Sequence, residues 1–217
     1  LLAVIHNQGY LTFNIDTKQI EHNTELSSIP DSLDWDNDGE VWLAYHSGIR
    51  NAREYSSGTY TNYQTSTVSS GFFSIEVIAD NSLVIGGFDS KLHVFDEFGS
   101  LITQKSEPNS YLSSMFDTPD GVLLVGSGDG QLHRYDYNNS WTHSVISLGS
   151  DQITSIQDFD DTKFAALDSS NVLHMVDKIS FAKVGELPTT STAHYALAEL
   201  AGQVSLVYNS GLVGGIM

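Results

Sequence analysis

Two stretches of the sequence repeat one pattern, LVIGGFDSKLHVFD (Leu83–Asp96) and LLVGSGDGQLHRYD (Leu123–Asp136). Each has a short apolar run, a turn containing aspartate, and a second short run that ends in an aromatic residue and aspartate. Variants of the pattern occur as FAALDSSNVLHMVD from Phe164, LLAVIHNQGYLTF from Leu1, VWLAYHSGIRNA from Val41 and VSLVYNSGLVGGI from Val204. The six copies begin 40, 42, 40, 41 and 40 residues apart. So regular a spacing predicts an architecture that repeats one supersecondary unit.

Each copy has the pattern of a β-hairpin, because two short apolar runs flank a polar turn. Two further strand-like stretches lie between successive hairpins; in the third copy they are Phe72–Ile78 and Leu101–Lys105. No window of helical length carries an apolar stripe with a period of 3.6 residues. A β-sandwich would not require a fixed spacing between its strands. The sequence therefore predicts an all-β fold of four-stranded antiparallel units.

The segments Val125–Asp136 and Ile85–Asp96 resemble the second and third strands of a WD-repeat blade. Over essentially its whole length the chain is similar to WD-repeat β-propellers, whose repeats run to about 40–45 residues. This resemblance implies a β-propeller of four-stranded antiparallel blades, with six blades represented in a single domain over residues 1–217. The tryptophan that precedes the family's aspartate is replaced by Tyr135, Phe95 or Val176. The family's Gly-His pair is also missing, which removes the motif on which its buried His–Asp hydrogen bonds depend.

The strand pattern begins at the second strand of one blade and ends at the third strand of another. The complete ring is expected to have six or seven blades, which at about 41 residues each exceeds 217 residues. An open ring would leave unpaired sheet edges, which folded proteins avoid. We therefore expect the domain to be incomplete at both ends, with additional blades or another chain completing the ring.

The chain carries 27 acidic residues against nine lysines and arginines, a net charge of −18. Nucleic-acid partners are disfavoured because no basic stripe is present, and anionic membrane surfaces are disfavoured for the same reason. No apolar run is long enough to insert into a membrane. Two explanations of the acidity stay open: turn-forming aspartates that add solubility, and an extracellular or high-salt setting in which cations screen the charge. The absence of cysteine excludes disulfides and thiol catalysis.

The segment that contains Asp34, Asp36 and Asp38 begins like a calcium-binding loop, with acids at alternate positions before a glycine. The closing acidic ligand is missing, since Trp42 and Tyr45 occupy the positions where two kinds of calcium loop require it. In the repeat register Asp38 falls in an ordinary hairpin turn. We expect a solvated acidic cluster that binds calcium at most weakly, and no other cofactor.

Three histidines, His93, His133 and His174, follow a leucine in the third strand of their repeats. Three imidazoles could bind zinc if they converged. One repeat separates each from the next, so half-buried packing positions, well apart from one another, are expected instead.

The turns between the second and third strands form one set in the repeat register and are small, polar and partly acidic. In a propeller these turns share one face with the loops that join successive blades, and this face usually binds partners. The equivalent residues are Asn7, Ser47, Asp89, Asp129, Ser170 and Ser210.

The chain offers no nucleophile elbow of the Gly-x-Ser-x-Gly type at a strand–helix turn. The function expected is a non-catalytic protein-interaction platform or a structural module of a larger assembly, with protein partners. Two alternatives stay open: a propeller hydrolase or lyase with an acidic axial pocket, and a calcium-dependent or carbohydrate-binding surface protein. The fold by itself does not choose among them.

Overall fold

The computed structural model describes residues 2–6, 9–14, 17, 19–25, 31–37, 41–44, 51–56, 59–64, 71–188, 194–200, 203–208 and 213–215. Side chains are described mainly within 31–37, 42–44 and 71–188. The chain divides into two compact units, Leu1–Glu107 and Pro108–Met217.

The first unit contains three antiparallel sheets in which each strand pairs with the next along the chain. The first sheet has the three strands β1 (Leu2–His6), β2 (Gly9–Asn14) and β3 (Gln19–Glu25). The second sheet has the four strands β4 (Ser32–Trp35), β5 (Val41–Ala44), β6 (Asn51–Ser56) and β7 (Thr59–Gln64). The third sheet has the four strands β8 (Phe72–Val77), β9 (Leu83–Gly87), β10 (Leu92–Phe95) and β11 (Leu101–Lys105).

The second unit also contains three antiparallel sheets of sequential strands. The fourth sheet consists of β12 (Leu112–Asp117), β13 (Val122–Ser127), β14 (Gln131–Asp136) and β15 (Thr142–Ser147), with one turn of 3-10 helix at Tyr137–Asn139. The fifth sheet consists of β16 (Ile153–Asp160), β17 (Lys163–Asp168), β18 (Val172–Asp177) and β19 (Lys183–Pro188). The sixth sheet consists of β20 (His194–Leu200), β21 (Gln203–Tyr208) and β22 (Val213–Gly215).

All six predicted hairpins are confirmed, and each forms the second and third strands of a four-stranded unit or their equivalents in the three-stranded sheets. We refer to the strands of a unit as a, b, c and d in chain order, so that β12, β13, β14 and β15 are strands a to d of the fourth sheet. The first sheet contains strands b, c and d, and the sixth contains a, b and c, as the repeat register predicted.

The core of each unit lies between neighbouring sheets. In the first unit Trp42 and Ala44 of β5 pack against Ile85 and Phe95 of the third sheet. In the second unit one core joins the fourth and fifth sheets and contains Leu124, Leu132, Ile153, Ile156, Phe164, Ala166, Val176 and Phe181. Strands β9 and β13 are buried at every residue, which explains why strand b is a continuous apolar run rather than an alternating one.

Gly126 marks the closest approach of the fourth and fifth sheets. A Cβ atom at this position would lie 2.7 Å from Ile153 Cβ and 2.5 Å from Ser114 Oγ. Ser114 also donates a hydrogen bond of 3.0 Å to the carbonyl of Ile153, which belongs to the first strand of the next sheet. The missing side chain of Gly126 therefore allows the two sheets to pack and to hydrogen-bond at the same point.

Serines at one register position of strand a join neighbouring sheets. Ser32 Oγ accepts from the Ile75 amide at 3.3 Å in the first unit. In the second unit Ser155 Oγ accepts from the Leu197 amide at 3.0 Å, and the equivalent Ser114 makes the bond to Ile153. Each of these hydroxyls makes a hydrogen bond with a backbone group on strand a of the next sheet.

The aspartate that closes strand c stabilises the turn into strand d. Asp96 Oδ1 accepts from the amides of Phe98 and Ser100 at 3.0 and 2.7 Å. Asp136 Oδ1 accepts from Asn139 at 3.0 Å and Asp177 Oδ1 from Ser180 at 2.7 Å. A carboxylate that accepts from nearby backbone N–H groups stabilises a tight turn, so this repeated aspartate belongs to the architecture.

Candidate functional site

The b–c turn and the loop that leads into strand a lie at the same end of the strands of each sheet, because the strands are antiparallel. We call this end of the sheets the turn face. In the second unit it contains Tyr111 and residues 128–130, 149–152 and 169–171. In the first unit it contains Gly71 and residues 88–90.

One backbone bond repeats on this face. The amide of a b–c turn residue donates to the carbonyl of the residue that precedes strand a. The bonds run from Phe88 to Gly71 at 3.1 Å, from Gly128 to Tyr111 at 2.9 Å, and from Ser169 to Gln152 at 2.8 Å. Each b–c turn is thereby fixed to the loop beside it.

Asp168 holds the b–c turn of the fifth sheet. Its Oδ1 accepts from the amides of Ser170 and Val172 at 3.0 and 2.8 Å, and its Oδ2 lies 2.8 Å from His174 Nε2. Both side chains are almost fully buried, with 5% and 3% exposed. The carboxylate is therefore occupied by two amides of its own turn and by a histidine of the adjacent strand.

The third sheet builds an equivalent pair from a different position. Asp89 Oδ2 lies 2.8 Å from His93 Nε2, and its Oδ1 accepts from the Lys91 amide at 3.3 Å. Burial raises the pKa of Asp89, but the hydrogen bonds and charges of His93 and Lys91 together outweigh it, so the pKa falls below its usual value. In the repeat register Asp89 aligns with Ser170, whereas Asp168 aligns with Gly87. The histidine keeps its place and the aspartate moves by two residues.

The fourth sheet replaces the His–Asp pair with two separate contacts. Ser127 Oγ donates to Asp129 Oδ1 at 2.5 Å. His133 Nδ1 lies 3.0 Å from His143 Nε2 on strand d, and the His143 ring lies 4.7 Å from the ring of Tyr135. The three strand-c histidines thus bind different partners within their own sheets. Their predicted half-buried positions are wrong, since His93, His133 and His174 are at most 2% exposed.

Tyr111 and Gln152 complete the turn face and were missed by the sequence analysis. The Tyr111 ring fills the place of a side chain at Gly128, where a Cβ would lie 2.3 Å from Tyr111 Cε1. The Tyr111 hydroxyl donates to Gln152 Oε1 at 3.1 Å. These two residues precede strand a in successive sheets and lie 41 residues apart in the sequence, so the repeat spacing was the signal that could have found them.

Three of the six predicted partner-face residues lie within the described part of the chain. Ser170 is exposed, whereas Asp89 and Asp129 are half-buried and hydrogen-bonded within their turns. Asp129 and Ser170 occupy the turn face of the second unit, and Asp89 that of the first. The positions of Asn7, Ser47 and Ser210 lie outside the described residues.

The carboxylates of Asp34 and Asp36, two members of the predicted calcium cluster, accept hydrogen bonds from other parts of the protein. The third member, Asp38, lies outside the described residues. Asp34 Oδ2 accepts from the Val77 amide of the third sheet at 2.6 Å. Asp36 Oδ2 accepts from Trp42 Nε1 at 2.9 Å. The expected solvated cluster is wrong for these two carboxylates, because both are partly buried and bind separate donors. Among the described residues, no group of three or more potential ligand side chains is placed to hold a metal ion.

Burial raises the pKa of Asp34 from 3.8 to about 6, against the opposing effect of its hydrogen bond from Val77. The folded state therefore binds this proton more tightly than the unfolded state. The stabilisation from protonated Asp34 is full below about pH 4 and is lost as the pH rises through about 6.

Replacing Asp34 by asparagine is expected to increase the free energy of unfolding at neutral pH by about 1–2 kcal/mol, because the amide keeps an acceptor and carries no charge. The gain should vanish near pH 4. Urea unfolding at both pH values measures it. The exposed Asp161→Asn variant is the control and should change neither value, and equal stability of D34N and the parent at neutral pH contradicts the assignment.

Comparisons of sequence give no match, neither to a protein-family model nor to a curated protein. Comparisons of structure do. The chain aligns over 97% of its length with the WD40 β-propeller domain of Doa1, at a TM-score of 0.79 and 12% identity, covering 73% of that chain. The fold is that of a WD-repeat-like β-propeller. A chain of the mitotic checkpoint complex aligns with 98% of this propeller at a TM-score of 0.81 and 16% identity, over 69% of its own length.

The computationally designed protein Ika8 aligns with 98% of the propeller at a TM-score of 0.75 and 15% identity, over 66% of its own length. The predicted fold class and the resemblance to WD-repeat blades are thus confirmed. The buried His–Asp pairs are present without the Gly-His motif, because the histidine comes from strand c. In the described part of the propeller, no helix is long and apolar enough to cross a membrane.

Proposed function

We propose that this propeller is a non-catalytic platform that binds protein partners through its turn face. The proposal rests on one observation: the acids and histidines at the b–c turns bind each other and the turn backbone. Asp89 and Asp168 engage buried histidines and turn amides at 2.8–3.3 Å. These side chains hold the turns in place, which leaves small residues such as Ser169 and Ser170 exposed on the face.

A rigid turn face favours binding because little conformational entropy is lost when a partner docks. The backbone bonds from the turns to the preceding loops and the contact of Tyr111 with Gly128 add to this rigidity. The net charge of −18 favours cationic partners. We also propose that residues 1–217 belong to a single propeller domain.

A substitution on the turn face tests the proposal. Ser170→Arg adds one bulky cation to an exposed b–c turn, so we expect it to reduce capture of protein partners by about tenfold or more while the melting temperature stays the same. Partners are cross-linked to the immobilised protein in cell extract and quantified by mass spectrometry.

The matched control is Ile179→Arg, which adds the same charge at the c–d turn, at the opposite end of the strands of the same sheet. The Ile179 side chain is 91% exposed. It should capture the same partners as the parent. Partners lost by Ile179→Arg and kept by Ser170→Arg contradict the proposed face, and so do partners kept by both variants.

A further inference from the structure

Strand β15 forms the outer edge of the fourth sheet. Its six residues, Thr142–Ser147, pair in unbroken register with Asp136–Gln131 of β14. Within the described residues β14 is its only strand partner. In an antiparallel strand alternate residues direct their N–H and C=O groups away from the neighbouring strand, so β15 presents a row of backbone donors and acceptors on its other side.

Side chains on both faces of the sheet hold β15 in place. Ile146 packs against the core shared by the fourth and fifth sheets. His143 contacts His133 and Tyr135 on the other face, through the 3.0 Å hydrogen bond and the ring contact of 4.7 Å. The edge is therefore an extended backbone that is already ordered before anything binds to it.

Proteins usually protect such edges with charges, prolines or bulges. Strand β11 ends in Lys105 and pairs with β10 across a register shift. Strand β19 carries Lys183 and Pro188 and also pairs across a register shift. Strand β15 has no Lys, Arg, Asp, Glu or Pro and no register shift. Among the three d strands whose side chains are described, β15 alone lacks these protections.

The exposed side chains of β15 are small and favour extended structure. Thr142, Ser144, Val145 and Ser147 are exposed, and Val145 has 45% of its surface accessible. An added strand with threonine or valine at alternate positions would pack beside them, since cross-strand pairs of β-branched residues stabilise sheets.

The negative charge of the chain indicates which kind of added strand can bind beside β15. Residues 112–147, which build the fourth sheet, carry four aspartates and one arginine, and the whole chain has a net charge of −18. A second copy would bring an equal negative charge to the edge, and the two copies would repel each other. A cationic strand is attracted instead.

We propose that the outer edge of β15 binds an extended, cationic segment of a partner protein as a fifth strand of the blade. Backbone hydrogen bonds supply the affinity in this mode of peptide recognition, and side chains adjust the specificity. The proposal rests on the platform function and adds a surface separate from the turn face.

The probe is a short peptide with capped ends, an alternating threonine–valine core and lysines at both ends. Added to the intact protein at low salt, it should slow amide hydrogen exchange in residues 142–147 by about tenfold or more at saturation. Val145→Lys should weaken its binding by at least about tenfold, because the added cation repels the lysines. Val184→Lys on β19, where the side chain is 54% exposed, is the matched control and should bind as the parent does.

Two further peptides test separately whether binding depends on backbone hydrogen bonds and on positive charge. A peptide with prolines at alternate core positions cannot complete the ladder, and one with glutamates in place of lysines has the wrong charge; neither should protect β15. Protection elsewhere, for example at the uncharged β7, no protection by the lysine peptide, or equal binding by Val145→Lys overturns the proposal. If Ser170→Arg still loses natural partners in that case, the edge has failed and the platform stands. If β15 binds the peptide and Ser170→Arg keeps every partner, the turn face has failed.

Discussion

Replacing Gly126 by alanine is expected to lower the free energy of unfolding by about 1–3 kcal/mol, the range for overpacking a tight core position. The new Cβ would lie 2.7 Å from both Cβ and Cγ2 of Ile153. These two atoms are close to the backbone of the next sheet, so they cannot move aside unless that backbone moves. It would also lie 2.5 Å from Ser114 Oγ, the hydroxyl that donates to the Ile153 carbonyl. Strand β16 has to move away, and core contacts between the two sheets weaken with it.

Gly149→Ala is the matched control, because no atom lies within 4 Å of a Cβ built at that exposed glycine. It should leave stability unchanged or raise it by less than about 1 kcal/mol through the unfolded state. Urea unfolding followed by tryptophan fluorescence measures both variants. A G126A protein within about 0.5 kcal/mol of the parent contradicts the close packing of the fourth and fifth sheets.

The Asp168→Ala substitution is expected to cost about 3 kcal/mol. It removes the acceptor for two turn amides and for a histidine that is 2% exposed, and buried donors without partners are expensive. The b–c turn of the fifth sheet should loosen first. Amide exchange at Ser170 and Val172 should therefore accelerate more than exchange in the core of β17.

Asp168→Asn separates the hydrogen bonds from the charge, because its amide oxygen can still accept from the turn amides, and it should cost less than the alanine variant. The exposed Asp161→Ala change should stay within about 0.5 kcal/mol of the parent. If Asp168→Ala is as stable as Asp161→Ala, the carboxylate does not hold the turn.

The hairpins could be predicted because their information is local. The runs from Leu83, Leu123 and Phe164 are apolar where strand b is buried on both faces, and the turn after each run has one residue in left-handed backbone, which glycine and asparagine favour. Ser90, Gly130 and Asn171 occupy one register position and have φ values of 59°, 75° and 65°. Because local sequence and global fold agree at these positions, the repeat alone was sufficient for the fold class.

The contacts of the candidate site were not predictable in the same way, because they depend on which atoms meet across strands and between sheets. His93 and His174 occupy the same place in the repeat, yet their aspartates come from positions two residues apart. The sequence predicted that Asp34 and Asp36 belong to one solvated acidic cluster. One accepts from Val77, 43 residues later, and the other from Trp42. A pattern of alternating acids contains no information about donors on a neighbouring sheet.

The measurement that tests the central claim most directly is the amount of each cross-linked partner on Ser170→Arg relative to Ile179→Arg, with both variants shown to melt with the parent. The two changes add the same charge at opposite ends of the strands of the fifth sheet. A platform that uses its turn face predicts partners lost from Ser170→Arg by about tenfold or more and retained by Ile179→Arg. Equal capture by both variants, or loss from Ile179→Arg alone, would contradict it.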